Sequence, residues 1–315
     1  MAITDFDQLM VTVRDLPEYK VAVAAANGEL VLAGAMQALT EKVAEPVFFG
    51  DARAIAKTAA EAGLNLTGAE IVDVPGELEA VSRAVDAAAS GECPMLMKGH
   101  VHTDDFLRAV LRREGGLRCA DVLMSHVFIL EATSLGRLLF VTDGAMNIAP
   151  DLEQKAQIIQ NAVYLARCFG VEEPRVGAVG AVELVDPKMP VTVEAAAFAG
   201  MDRRGQIPHC IVDGPFGLDN AVSREAARVK GLEGPVAGQC DILLMPDIEA
   251  GNIMAKTFSF LSGGRSAGVV VGAAVPIVLT SRADSAEARL FSMATAALMA
   301  NMSRDACMKI GKVHY

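Results

Sequence analysis

Residues 138–182 decide the fold. The stretch opens on Leu138-Leu-Phe-Val-Thr142 and passes through Asp143-Gly-Ala-Met-Asn147-Ile-Ala-Pro150. It then runs from Asp151 to Gly170 and ends on Val176-Gly-Ala-Val-Gly-Ala-Val182. The first and last pieces are short, continuous apolar runs, the pattern of strands buried on both faces. Between them Leu152, Ile159, Val163 and Ala166 recur at helical spacing, and Gly170 stands where a C-terminal cap belongs. Strand, helix and strand in this order form one parallel crossover unit.

The same rhythm extends in both directions. Further apolar runs predict strands at Glu45 to Phe49, Met95 to Lys98, Val122 to Glu131, His209 to Asp213, Asp241 to Met245, Gly268 to Val271 and Ile277 to Thr280. Helices are predicted from an N-cap at Ser223 to near Gly231, from Thr192 and Glu194, and from about Asp284 to Asn301. Alternation of this kind predicts a doubly wound α/β fold. No repeat, heptad run or low-complexity segment interrupts it.

Composition agrees. The 315 residues suit two α/β domains or one large one. Hydrophobic residues make up 52 %, aromatics only 5 %, and Trp is absent, so the apolar mass is aliphatic. A formal net charge of −11 argues against nucleic acid as a partner, because its phosphates need a basic surface. A few Arg or Lys side chains can still focus a local positive field on an anionic substrate. No apolar run reaches the ~20 residues that a bilayer requires. MAITDFDQLM is no secretory leader, so a cytoplasmic location and no membrane partner are expected. The six Cys at 93, 119, 168, 210, 240 and 307 form no CxxC pair and no zinc framework, and are expected to be reduced, buried thiols.

Four segments carry polar residues at strand ends, where an open α/β sheet builds its site. In Met97-Lys98-Gly99-His100-Val101-His102-Thr103-Asp104-Asp105 a strand reaches a glycine turn and then a helix starting near Thr103. Backbone N–H groups of such a turn can hold a phosphate. An ordinary loop capped by Thr103 explains the segment equally, and its two His lack the further ligands that a metal needs. Asp143 to Pro150 and Asp213-Gly-Pro-Phe-Gly-Leu-Asp219-Asn220 are also fully explained as tight turns with caps. The fourth segment joins Pro246-Asp247-Ile-Glu-Ala-Gly251-Asn252 to Thr280-Ser281-Arg282-Ala-Asp284-Ser285. Arg presents a planar fork suited to phosphate or an oxyanion, and Ser adds a short donor near a helix N-terminus. On the bland reading Ser281 caps the last helix and Arg282 pairs with Asp284 or Glu287. The GxSxG elbow, the P-loop and the GxGxxG fingerprint are all absent from the sequence.

Taken together, these elements resemble one family. Asp143-Gly-Ala-Met-Asn147, Asp213-Gly-Pro215, Pro235-Val-Ala-Gly238, Pro246-Asp-Ile-Glu-Ala-Gly-Asn252 and Ser281-Arg282 are similar in order and spacing to phosphate acetyltransferases and phosphate butyryltransferases. Met97-Lys-Gly-His-Val-His-Thr103 and Thr280-Ser-Arg-Ala-Asp-Ser285 look closest to the butyryltransferase-like branch. The resemblance covers the chain from about Met95 to the last helix.

It implies two α/β domains of the isocitrate/isopropylmalate dehydrogenase type with an interdomain cleft. Residues 1–140 and 270–315 would form a split first domain, and 141–269 the second. It further implies a homodimer or higher homo-oligomer that interconverts short-chain acyl-CoA plus phosphate with acyl phosphate plus CoA. CoA is then a substrate, with no tightly bound cofactor and no metal. Ser281 and Arg282 are the implied catalytic residues. Lys98, Gly99, Thr103, Asn147, Asp213, Asp247, Gly251, Asn252 and Asp284 are the implied substrate-binding ones. In one respect the pattern departs. Acetyltransferases of this family carry an Asp soon after the Ser-Arg pair, proposed as the base for the CoA thiol, where this chain has Ala288. Two alternatives stay open: an NAD-linked decarboxylating dehydrogenase of the same fold, against which the absence of a tight Asp cluster weighs, and an inactive CoA-binding regulator.

Overall fold

Strands and helices alternate along the computed structural model, which describes residues 2–302 and 310–314. The first part of the chain forms α1 (Phe6–Arg14), β1 (Tyr19–Ala24), α2 (Glu29–Thr40), β2 (Ala44–Gly50), α3 (Ala52–Glu61), β3 (Glu70–Asp73), α4 (Glu77–Ala89), β4 (Met95–Lys98) and α5 (Thr103–Val110). Then come β5 (Ser125–Ala132), β6 (Arg137–Thr142), α6 (Leu152–Cys168), β7 (Arg175–Val179), α7 (Pro190–Asp202), β8 (Ile211–Phe216), α8 (Leu218–Val222) and α9 (Arg224–Val229). The last elements are β9 (Ile242–Leu244), α10 (Ile248–Lys256), β10 (Ser266–Val271), β11 (Ile277–Val278) and α11 (Ala286–Met302).

These elements fall into two compact units. One holds residues 6–122 and 266–302; the other holds 2–5, 123–265 and 310–314. In the first unit the strand order is β3-β2-β1-β4-β11-β10. All neighbours are parallel except β10 and β11. The chain winds outward from β1 through β2 to β3, then returns to place β4 on the other side of β1. Between β1 and β4 the winding reverses, and an open α/β sheet opens its crevice at the carboxyl ends of the strands on either side of such a point. Here those ends are Ala24 and Lys98. Helix α11 packs on α1, α2 and β10, and Phe6 stacks on Phe291 with ring centroids 4.4 Å apart.

The second unit orders its strands β5-β6-β9-β7-β8. Only the β5–β6 pair is antiparallel. Leu130, Val141, Val179, Phe216 and Leu243 belong to its apolar core. Because β6, β9, β7 and β8 are parallel, their carboxyl ends share one edge, and the loops after them carry Asp143, Asn147 and Asp247.

Several elements depart from the sequence expectation for identifiable reasons. β1 and β3 were not expected. Lys20-Val-Ala-Val-Ala24 is short and Ala-rich, and β3 is an edge strand with no fully buried residue. β5 begins at Ser125, not Val122. β7 stops at Val179 instead of Val182, and its pairing with β8 closes on the bond from the Gly180 N–H to the Phe216 carbonyl. β8 begins at Ile211 instead of His209, whose φ of 66° is left-handed, and it runs past Asp213 to Phe216. The expected turn at Asp213 therefore lies inside a strand. α7 starts two residues early on Pro190, and α11 starts at Ala286, with Ser285 Oγ accepting from Ala288 N. Ser223 does cap α9 through Ala226 N, and Gly170 follows α6 with a φ of 82°.

Cys93, Cys168, Cys210 and Cys240 are buried free thiols. Cys119 corrects the expectation of six reduced thiols, because it takes part in a disulfide. Disulfide pairing depends on Cα separation in the fold, which spacing along the chain does not report. Cys307 lies outside the described residues. No helix among the described residues is long and apolar enough to cross a membrane.

The start of α6 closes a reciprocal cap. Asp151 Oδ1 accepts from Gln154 N at 2.9 Å, and Asp151 N donates to Gln154 Oε1 at 3.0 Å. Asp151→Ala is expected to cost about 1 kcal/mol. The shift in the urea unfolding midpoint measures it.

Candidate functional site

The crevice of the first unit is built around buried cations. Lys98, the last residue of β4, is only 2 % exposed. Its ammonium donates to the carbonyls of Gly99 (3.3 Å) and Val101 (3.0 Å). The turn it holds lies across the end of β1. Gly99 N donates to Ala24 O and His100 N to Ala25 O, each at 2.9 Å. A Cβ at Gly99 would run into both of these carbonyls, at the end of β1 and just past it, so only glycine permits the crossing. Helix α5 then starts at Thr103. The residue before it, His102, makes no side-chain cap bond, so Thr103 is the first helical residue and not the cap.

The other side of this site is the loop between β11 and α11. Ser281 N donates to Asp284 Oδ2 at 2.7 Å, and Ser281 Oγ accepts from Ala283 N at 3.4 Å. Ser281 therefore shapes the loop and leaves the capping of α11 to Ser285. Arg282 is exposed, and no ion pair among the described residues involves it. Beneath the loop lies Arg289, 2 % exposed, in the first turn of α11. Its guanidinium donates to the carbonyls of Ser281 (2.8 Å), Ser285 (3.2 Å) and Arg282 (3.4 Å), and to that of Asp284.

These groups act on one another electrostatically. Burial first, and then the charges of Arg282 and Arg289, push the Lys98 pKa down from 10.5 to about 8, while Asp284 opposes the shift. Burial also lowers that of Arg289, again against Asp284. Three cations and one carboxylate at the ends of β4 and β11 leave a positive field suited to an anion.

The second unit gathers backbone around an anion. Asp143 follows β6 and is 3 % exposed. Its Oδ1 accepts from Ala145 N at 2.8 Å and Met146 N at 3.0 Å. Its Oδ2 accepts from Asn147 Nδ2 (2.6 Å), His126 N (3.2 Å) and Asn147 N (3.3 Å). Asn147 also donates to Met124 O at 3.0 Å. Helix α10 docks on this knot. Asn252 Nδ2 donates to Gly144 O at 3.0 Å and Ile248 N to Ile148 O at 3.0 Å. A Cβ at Gly251 would strike the Asp143 carbonyl. Asp247 caps α10 through Ala250 N at 2.8 Å.

Of the residues singled out in the sequence, the first unit brings Lys98, Gly99, Ser281, Arg282 and Asp284 into one site, with Thr103 at the start of the adjoining helix. The second unit brings Asn147, Asp247, Gly251 and Asn252 together at the β6 and β9 ends. Asp213 stands apart inside β8, where its carboxylate accepts from Gly214 N at 2.9 Å. Asp219 at the start of α8 has a surface explanation, because it and Glu183 both pair with Lys230, at 3.2 and 3.1 Å, whereas Asn220 beside it is fully buried. Sequence reasoning missed Asp143 and Arg289 as site residues. The signal for Arg289 was present: an Arg directly before Leu290 and Phe291 at the start of a long, mostly apolar helix. Among the described residues, no group of three or more His, Cys, Asp or Glu side chains is placed to hold a metal ion.

Known proteins carry the same pattern. Residues 77–297 match the family described as phosphate acetyl/butaryl transferase. A phosphate butyryltransferase from Clostridium beijerinckii is 45 % identical over 296 residues, covering 94 % of this chain and 98 % of its own. A phosphate acetyltransferase from Thermotoga maritima is 46 % identical over 281 residues, covering 89 % and 95 %. Among solved structures, a branched-chain phosphotransacylase from Enterococcus faecalis superposes with a TM-score of 0.78 at 30 % identity, covering 90 % of this chain and 99 % of its own.

Lys98 provides a test of the first unit's electrostatics. Between about 8 and 10.5 the folded protein binds fewer protons at this site than the unfolded chain does. Stability rises with pH wherever the unfolded state binds more protons. The wild type is therefore expected to gain stability relative to Lys98→Met as pH rises from 7.5 to 10. Chemical denaturation at several pH values measures the difference. A difference independent of pH would mean that Lys98 titrates normally.

Proposed function

The chain belongs to the phosphate acetyl/butyryltransferase family, and on that premise we propose that the loop bearing Ser281 and Arg282 is where its phosphate is held. The enzyme is an acyltransferase that exchanges the CoA of an acyl thioester for phosphate, giving acyl phosphate and free CoA. One observation carries the placement: an exposed Arg282, with no ion pair among the described residues, on a loop pinned from below beside the buried ammonium of Lys98.

The chemistry follows from this arrangement. A phosphate oxygen attacks the thioester carbonyl carbon, and the carbonyl oxygen becomes an oxyanion. Collapse breaks the carbon–sulfur bond and releases the CoA thiolate. Arg282 engages the phosphate with its two-pronged fork, which fits phosphate better than a point charge does. Ser281 Oγ donates to the oxyanion, a group whose charge grows only in the transition state. Lys98 adds positive charge without touching bulk water. Holding both substrates at once replaces a bimolecular encounter by an oriented one.

Three buried thiols are poorly suited to act as nucleophiles. Burial pushes the Cys93 thiol up to about 11 and those of Cys210 and Cys240 up to about 12, so none of the three is a thiolate at neutral pH. We infer direct transfer in a ternary complex. In the second unit, Asn147, Gly251 and Asn252 direct their amides or their close approach to the backbone. We assign them to shaping the Asp143 loop and the start of α10, which carries Asp247.

Arg282→Ala is expected to keep its fold by circular dichroism and to lose about 10²–10³ in the rate of acyl phosphate formation. Arg282→Lys should recover little, and Ser281→Ala should lose less than Arg282→Ala. Near-normal turnover in folded Arg282→Ala would remove the phosphate from this loop. Direct transfer is tested separately. Initial-rate plots against both substrates should intersect, whereas parallel lines or an acylated Cys or Ser found by mass spectrometry would require a covalent route.

A further inference from the structure

A buried arginine normally faces a carboxylate, but Arg289 faces four carbonyls. Asp284 acts on it electrostatically, yet the hydrogen bonds of its guanidinium among the described residues all go to carbonyls, and a buried guanidinium satisfied in this way needs a structural reason. All four acceptors belong to Ser281, Arg282, Asp284 and Ser285, the loop that carries the proposed phosphate group. Arg289 Nε has no partner among the described residues, so both Nη atoms are directed at the loop while the rest of the side chain stays in the core. The neighbouring helix makes room for it. A Cβ at Gly34 of α2 would lie 2.9 Å from Arg289 Cβ and 3.1 Å from the Ala286 carbonyl. The loop is also fastened by the Ser281 N bond to Asp284 Oδ2, the long contact from Ala283 N to Ser281 Oγ, the bond from Asp284 N to Ser281 O at 3.2 Å, and the Ser285 Oγ bond from Ala288 N at 3.0 Å.

We propose that Arg289 is a positioning residue for the reaction: it clamps the carbonyls of the 281–285 loop from inside α11 and so sets the direction in which Arg282 presents its guanidinium to phosphate. The inference rests on the assignment of Arg282 to phosphate. Among the described residues Arg282 has no ion pair to fix its direction, so its aim depends on the backbone that carries it. Lysine cannot reproduce the clamp, because one ammonium cannot reach four carbonyls spread over a turn in the way a planar fork does.

The test is a double-mutant cycle in the full chain. Arg289→Lys is made in the wild type and in Arg282→Ala, with acyl phosphate formation followed against phosphate concentration. In the wild-type background kcat/KM for phosphate should fall by about 10- to 100-fold, because small misplacements of a binding group are costly. In the Arg282→Ala background the same change should cost less than about 2-fold, because a residue acting through Arg282 has nothing left to aim. Hydrogen exchange should quicken in 281–285 while the rest of α11 stays protected.

Equal fold-losses in both backgrounds, or no loss in the wild type, would overturn the proposal. So would exchange that quickens throughout α11, which would make Arg289 a core residue only. If Arg289→Lys does not fold, Arg289→Met is measured in the same way; failure of both to fold would also assign Arg289 to the core and overturn the proposal. Failure of the underlying reading looks different, because Arg282→Ala alone would then turn over normally.

Discussion

The first unit depends on one constraint: two cations buried where there is no bulk water to solvate them. Lys98 and Arg289 meet it in the same way, by donating hydrogen bonds to backbone carbonyls of the loops beside them. Each bond that satisfies a charge also fixes a loop. Lys98 fixes the turn after β4, and Arg289 fixes the turn before α11. These are the loops at the carboxyl ends of β4 and β11, neighbours in the sheet, with β4 on one side of the reversal of its winding. The field that attracts an anion and the rigidity that orients it therefore have a common source.

The second unit applies the opposite polarity to the same problem. Asp143 is a buried anion, and it gathers N–H groups: three from the loop that follows it, one from His126, and the Asn147 side chain. Carboxylates satisfied in this way organise a turn without any regular secondary structure. Gly251 then lets α10 approach the knot until their backbones touch. A side chain at that position would lift the helix and with it Asp247 and Asn252.

How much of this was legible in the sequence depends on which residues are considered. The parallel α/β architecture was readable because buried strands such as Leu138 to Thr142 are continuous apolar runs and α6 has a clean periodicity with caps at both ends. Lys98, Ser281, Arg282 and Asp284 were readable as site candidates because they stand at strand ends. β1 and β3 were not, because Ala and an exposed edge carry no hydrophobic signal. The Cys119 disulfide was hidden for a related reason, since bonding depends on proximity in space. Arg289 and Asp143 were the costlier misses. A residue that works by holding backbone carbonyls or amides leaves no motif, only a charge in an apolar context, and that mark is shared with ordinary buried ion pairs.

The central claim is that phosphate meets the protein at Arg282. The most direct measurement is a crystal structure of the enzyme with CoA and phosphate bound together. The account predicts phosphate oxygens on the Arg282 guanidinium nitrogens at about 2.7–2.9 Å, with the carbonyls of Ser281 and Ser285 still held by Arg289. Phosphate bound away from the 281–285 loop, with Arg282 left in solvent, would contradict it.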